Sequence, residues 1–189
     1  LQEVDAGRLT SFAVDDAYYL ARRLGMNVAY LPTVEHLTGI ALLYRGPIVA
    51  SDAALLTSSQ EQTGIVHAPL RLGETVLHAY GIWLGLEDED TLRQAAEALV
   101  FIGESTPTTF GGDFNAEIGS PVTDAVQAAG FEDPFVQLGV DPAPDTDPAV
   151  QPDKRIDFVW VRDLTALKAW VPESAASDHR MVVSEIAVP

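Results

Sequence analysis

Apolar positions along the chain follow two rhythms, one helical and one extended. Asp15 and Asp16 precede Ala17, Leu20, Ala21 and Leu24, which recur at helical spacing. Acids in the first turn, Arg22 and Arg23 in the last, and Gly25 behind them predict one helix with defined ends. Leu92, Ala95, Ala96, Leu99 and Ile102 share a face of a second helix. The charge run Glu87-Asp88-Glu89-Asp90 stands before it and is expected to cap and solvate its N-terminus. Ser120 as N-cap and Pro121 at the first helical position start a third, with Val122, Ala125, Val126 and Ala129 as its buried stripe and Gly130 as its stop. Extended runs are predicted at 1–4, from Met26 to Tyr30, and at 39–44, 48–50, 106–110, 155–161, 164–171 and 181–188. Runs 65–70 and 74–80 read as antiparallel neighbours joined through Leu72-Gly73-Glu74, and 155–161 reads as a central strand. Segment 131–135 crosses back, and the Pro- and Asp-rich stretch 141–153 reads as a long surface loop. About three helices among many short strands predict one α/β layered domain over 1–189 with mainly antiparallel pairing.

Composition narrows the function classes. Hydrophobic residues make up 47%, enough for a real core, and cysteine is absent, which excludes disulfides, thiolate metal sites and cysteine nucleophiles. No segment reaches the roughly 18 apolar residues of a membrane span. Only 11 Lys and Arg stand against 28 Asp and Glu, a net charge of −17, and the basic residues are scattered. Duplex nucleic acid is therefore a disfavoured partner. A small phosphoester is not disfavoured, because a divalent cation inverts the local field. Residues 1–4 read as the end of a strand with nothing before it, so the chain is expected to continue upstream of Leu1.

The richest chemistry lies in Gly111-Gly112-Asp113-Phe114-Asn115-Ala116. Its glycines let the backbone turn and approach a neighbour closely. In an extended segment Asp113 and Asn115 share a face, with Phe114 as an apolar anchor on the other. Glu3, Asp157, and Asp178 with His179 also lie near predicted strand ends or turns. Each has a bland reading: an Asx turn at Asp113, a solvated edge glutamate at Glu3, a surface turn at Asp178-His179. Asp157 is harder to dismiss, because a charge inside an apolar strand needs a partner and Arg155 is a weak one. If the set converges, Glu3 and Asp178 supply oxygen ligands for Mg²⁺ or Mn²⁺. Asp157 would then raise the pKa of His179, Asp113 would orient or deprotonate water, and Asn115 would hold water or a phosphate oxygen. That is metal-assisted hydrolysis of a phosphoester. His36, His67 and His78 read as structural or solvated, and there is no His-x-x-x-His pair, nucleophile elbow, dinucleotide fingerprint or phosphate-cradling loop with Lys.

Five stretches stand in the order found in the endonuclease/exonuclease/phosphatase superfamily, the DNase I-like enzymes, which the chain resembles. They are Leu1-Gln2-Glu3-Val4, the run from Gly39 to Ile48, Gly112-Asp113-Phe114-Asn115-Ala116, Arg155-Ile156-Asp157-Phe158-Val159, and Ser177-Asp178-His179-Arg180. The resemblance implies a four-layered α/β sandwich, two mainly antiparallel sheets flanked by helices, with the site in loops at one end. It implies metal binding by Glu3, and Asp178 assisting the metal or water. Asp113 and Asn115 would act on water and phosphoryl group, and Asp157 would pair with His179. Two departures are visible. The family's first strand, which bears an asparagine near the metal, would lie before Leu1. A Thr-His-Leu-like stretch with a phosphate-contacting histidine is replaced by His78-Ala79-Tyr80-Gly81-Ile82-Trp83, where Tyr80 is expected to serve and His78 is the substitute. The expected activity is a divalent-metal-dependent phosphoesterase, with a small or lipid-linked substrate favoured by the acidity. The alternatives are a nuclease proper and a catalytically weak or inactive binding scaffold.

Overall fold

The computed structural model describes residues 1–47 and 50–189. Three strands, β1 (Val4–Asp5), β2 (Asn27–Pro32) and β3 (Thr38–Tyr44), form an antiparallel sheet in the order β1-β3-β2. Helix α1 (Asp16–Leu24) packs Ala17 against Val4 and Ala41 of that sheet. Its ends are those expected: the Asp15 carboxylate accepts from the Tyr18 N–H at 2.9 Å, and Gly25 takes the left-handed conformation and bonds back to Ala21 and Arg22.

The second sheet holds β4 (Asp52–Leu55), β5 (Gly64–Leu72), β6 (Thr75–Trp83), β7 (Thr108–Asp113) and β8 (Asp157–Arg162), in that spatial order. Its pairs are antiparallel except β6 with β7, which run parallel and are joined by the crossover helix α2 (Asp88–Ile102). The outer face carries Ile65, Ile82, Phe110, Phe158 and Trp160, covered by Ala95, Ala98 and Ile102 of α2 and by Val122 and Val126 of α3 (Pro121–Ala128). The inner face sets Val66 and Trp83 against Ala29 and Ile40 of the first sheet. The layers therefore run α1, small sheet, large sheet, α2 with α3, a four-layered α/β sandwich. A short helix α4 (Pro134–Gln137) and a two-stranded sheet, β9 (Thr165–Trp170) with β10 (Val183–Ala187), complete the fold. That pair packs Ile186 beside Leu77, Val161 and Leu164.

Several expectations are corrected. The first strand is only Val4–Asp5, and Glu3 precedes it with a φ of 49°. β6 runs on past Tyr80 to Trp83. β4 was not expected, and β8 lies at the sheet edge, although it is buried on both faces, through Phe158 and Trp160 on one side and Val161 on the other. The crossing segment folds its end into α4. Of the run expected at 48–50, Ile48 and Val49 lie outside the described residues. Asp90 is not a solvated cap: it is buried, accepts from the Ser59 N–H and Oγ at 2.6 Å each, and pairs with Arg93. Arg155, already a weak candidate as partner of Asp157, is engaged elsewhere. It lies between the rings of Phe135 and Phe158 and pairs with buried Asp133 at 2.6 Å. Removing either partner of such a pair costs about 3–5 kcal/mol.

The glycines before Asp113 lie within β7 and form no turn. A β-carbon on Gly112 would stand 1.9 Å from the Ile82 carbonyl oxygen and 2.9 Å from Gln2 Nε2. One on Gly111 would stand 2.9 Å from the Phe158 oxygen. Their role is close approach, which lets β6 and β8 flank β7 up to its last residue.

Candidate active site

Asp113 ends β7, and its register partners are Trp83 on one side and Asp157, the first residue of β8, on the other. Two carboxylates are thus set side by side at one rim by strand pairing alone. Backbone N–H groups of Ile156 and Asp157 donate to Thr146 Oγ1 at 3.2 and 3.3 Å, which ties the long loop to the start of β8. The same loop holds the last polar turn. Ala149 N–H donates to the Asp178 carbonyl, the Arg180 N–H to the Thr146 carbonyl, and Arg180 Nε to the Ala149 carbonyl. His179 is thereby brought to the rim, with Nδ1 2.9 Å from Asp157 Oδ2 and Nε2 3.4 Å from Asp147 Oδ1.

One ligand atom from each of Asp113, Asp157 and His179 lies within 4.8 Å of the others. Glu3, Asp178, Gln2 and Ser177 join these three around a cavity of about 240 Å³. Asn115 stands just behind, with its N–H on Asp113 Oδ1 at 2.9 Å and its Nδ2 on the Leu84 carbonyl at 2.9 Å and on Asp113 Oδ2 at 3.3 Å. Asn115 and Glu3 both hold left-handed backbone, with φ of 46° and 49°. For glutamate that conformation is uncommon.

The charge balance is lopsided. Burial, then the neighbouring Asp157 carboxylate, push the Asp113 pKa up to about 7. Burial raises Asp157 by more than Thr146 and His179 offset. Burial also raises Glu3, and Glu61 and Asp178 add to it. His179 would be lowered by burial, but the charge and hydrogen bond of Asp157, with Asp113 and Asp147 behind, raise it above its usual value. Among the described residues none of Glu3, Asp113 and Asp178 is ion-paired to a Lys or Arg. Four carboxylates around one small cavity, with a single imidazole as counter-charge, fit a hard divalent cation.

The model of the Endonuclease/Exonuclease/phosphatase family matches residues 1–179. The chain belongs to this family. Its members are hydrolases of phosphoester bonds. Among curated proteins none matches the chain by sequence. Among solved structures, an endonuclease/exonuclease/phosphatase from Bacteroides vulgatus superposes with a TM-score of 0.82 at 14% identity, over 100% of this chain and 83% of that one. The mannosyl-6-phosphatase of Bacteroides thetaiotaomicron gives 0.71 at 15%, over 85% and 77%. The human Nocturnin catalytic domain, with bound sulfate, gives 0.73 at 20%, over 89% and 74%. At such identities these likenesses speak for the fold alone.

Within the endonuclease/exonuclease/phosphatase frame, Tyr80 is misplaced by the sequence reading. It pairs with Phe110, three residues below Asp113, or roughly 10 Å down the strand. Its ring stacks on His67 at 4.3 Å and its hydroxyl donates to Ser105 Oγ at 3.2 Å. His78 is farther still, opposite Thr108. The residue that reaches the rim beside Asp113 is Trp83, whose ring packs between the sheets against Ile40 and Val66. The sequence reading also missed Asp147 and Lys154. Lys154 Nζ lies 2.7 Å from Asp147 Oδ2, so that Asp147 links this lysine to His179. Only the fold of the 141–153 loop brings them in, and no local pattern marked them.

Proposed function

We propose that the chain is a Mg²⁺- or Mn²⁺-dependent phosphoesterase acting on a small or lipid-linked substrate. The observation that carries this is the gathering of Asp113, Asp157 and His179 within 4.8 Å, around a cavity that Glu3 and Asp178 also line. Glu3 and Asp178 would hold the cation, which when bound would offset charge on the phosphoryl oxygens and help the leaving oxygen. Asp113, with a pKa near neutrality, is suited to take a proton from the attacking water. Asn115, anchored to Leu84 and Asp113, would orient that water or a phosphoryl oxygen. Asp157 raises the pKa of His179, which in its protonated form would donate from Nε2 to a phosphoryl oxygen, displacing Asp147. The left-handed backbone at Glu3 is the kind of local strain that accompanies preorganised sites. A nuclease acting on duplex DNA is less well supported, because the nearby Lys154 is already engaged by Asp147.

The test is a hydrolysis screen over phosphomonoesters, phosphodiesters, inositol phosphates, sphingomyelin and abasic DNA, each with Mg²⁺, Mn²⁺ or EDTA. Asp113→Ala should lower metal-dependent turnover by about 10²–10⁴-fold with the fold intact by circular dichroism. Equal turnover in variant and parent would reject the assignment. A second reading, a non-catalytic binding scaffold, draws on Asp147 covering His179 Nε2 and on the burial of Tyr80. It predicts metal binding by calorimetry with no turnover of any substrate in the screen.

A further inference from the structure

Beside the candidate active site lies a larger cavity, of about 630 Å³, that the reading above leaves without a role. It is bounded by the start of α2, the link from β7 to α3, and the approach to β8. Asn115 lines it, while Asp113, which Asn115 contacts through two hydrogen bonds, lines the smaller one. The two cavities are therefore neighbours across a single Asp–Asn contact. Asn115, assigned above to the water or a phosphoryl oxygen, thus also lines this second space.

The lining says what this space should hold. Leu92, Ala116, Pro121, Val122 and Ile156 give the cavity an apolar part. Asp88, Glu89 and Glu117 are exposed and set a negative rim. Among the described lining residues Lys154 is the single cation, and its charge is matched by Asp147 at 2.7 Å. A nucleic-acid strand would bring further phosphates against three exposed carboxylates that, among the described residues, no Lys or Arg pairs with. An alkyl or ammonium-bearing alcohol would gain apolar contact and meet no repulsion.

We propose that this cavity receives one alcohol moiety of the substrate and selects a non-anionic, partly apolar group against an anionic one. This rests on the phosphoesterase reading and deepens it by naming the substrate class. Glu89 and Glu117 are specificity-determining residues here and touch no reacting atom.

Four p-nitrophenyl phosphodiesters test it, sharing one leaving group and differing in the second alcohol: methanol, choline, the uncharged all-carbon isostere of choline, and a carboxylate-bearing alkyl of like length. Measured as kcat/KM with Mg²⁺, the choline ester and its isostere should both exceed the carboxylate ester, by about tenfold at low salt given exposed charges. The margin should shrink at high salt. The double variant Glu89→Gln/Glu117→Gln should narrow the gap between choline and carboxylate esters and leave the methyl ester unchanged. Turnover of the methyl ester with no preference among the other three, or a preference the double variant does not alter, would overturn this inference alone. No turnover of any of the four diesters would overturn this inference, and no metal-dependent turnover of any substrate in the wider screen would overturn the phosphoesterase reading itself.

Discussion

His179 and His67 are both histidines with an aspartate beside them, yet their surroundings drive them in opposite directions. His179 stands at the open rim, clasped by Asp157 and Asp147 with Asp113 behind, and its pKa is raised against the effect of burial. His67 lies within the large sheet, its Nε2 hydrogen-bonded to His78 Nδ1 at 3.0 Å and its ring stacked on Tyr80. Burial, then His78, lower its pKa, and Asp52 at 3.6 Å pulls back only weakly. The residue types barely differ. What differs is the number of carboxylates facing each ring and whether solvent can reach it. An imidazole whose protonation is favoured, at a rim, suits phosphate chemistry, and one whose protonation is disfavoured, inside a sheet, suits packing.

The contrast can be broken most directly by activity. His179→Ala should lower kcat/KM by about 10²–10⁴-fold, while His67→Gln should leave it within about twofold. Comparable losses in both would show that the inner pair also serves the reaction. Titration sharpens the same contrast. In metal-free protein, NMR should place the His179 pKa above the ordinary 6.5 and that of His67 below it, and Asp157→Asn should bring His179 down. The stability signs are opposite. The His179 pairing contributes fully below about pH 6.5 and is lost as pH rises through its elevated pKa. The neutral His67 favours the fold above about pH 6.5, and that advantage is lost as pH falls through its lowered pKa. Chemical denaturation across pH should therefore show His67→Gln flattening the acid limb and leaving the alkaline limb unchanged. A further stability effect is expected at Asp113. Its pKa of about 7 means that holding it ionised costs stability progressively from about pH 4 up to about pH 7. Asp113→Asn should raise the Tm of metal-free protein by a few degrees at pH 8 and barely change it near pH 4, while turnover falls.

Local pattern made much of this molecule legible. The ends of α1 follow from Asp15 and Gly25, and the start of α3 from Ser120 with Pro121, because caps are short-range chemistry. The pairing of Asp113 with Asp157 was anticipated only as convergence, since strand register depends on partners far along the chain. Tyr80 was chosen by its likeness to the family's Thr-His-Leu-like stretch, whereas the parallel partner β7 extends β6 three residues beyond it, so that Trp83 stands at the rim. β8 read as central because covered faces, and not hydrogen-bonded neighbours, set its composition. Asp147 was invisible for a different reason. Its place beside His179 comes from a loop folding back on itself through Thr146 and Ala149, and such closure leaves no period in the sequence.

Gly112 has a consequence of its own. Any larger residue there would collide with the Ile82 carbonyl and force β6 and β7 apart. The spacing that holds Trp83, Asp113 and Asp157 abreast would open with them. A position at this rim that has no room for a side chain thus carries no functional group, and its contribution is the volume it leaves empty.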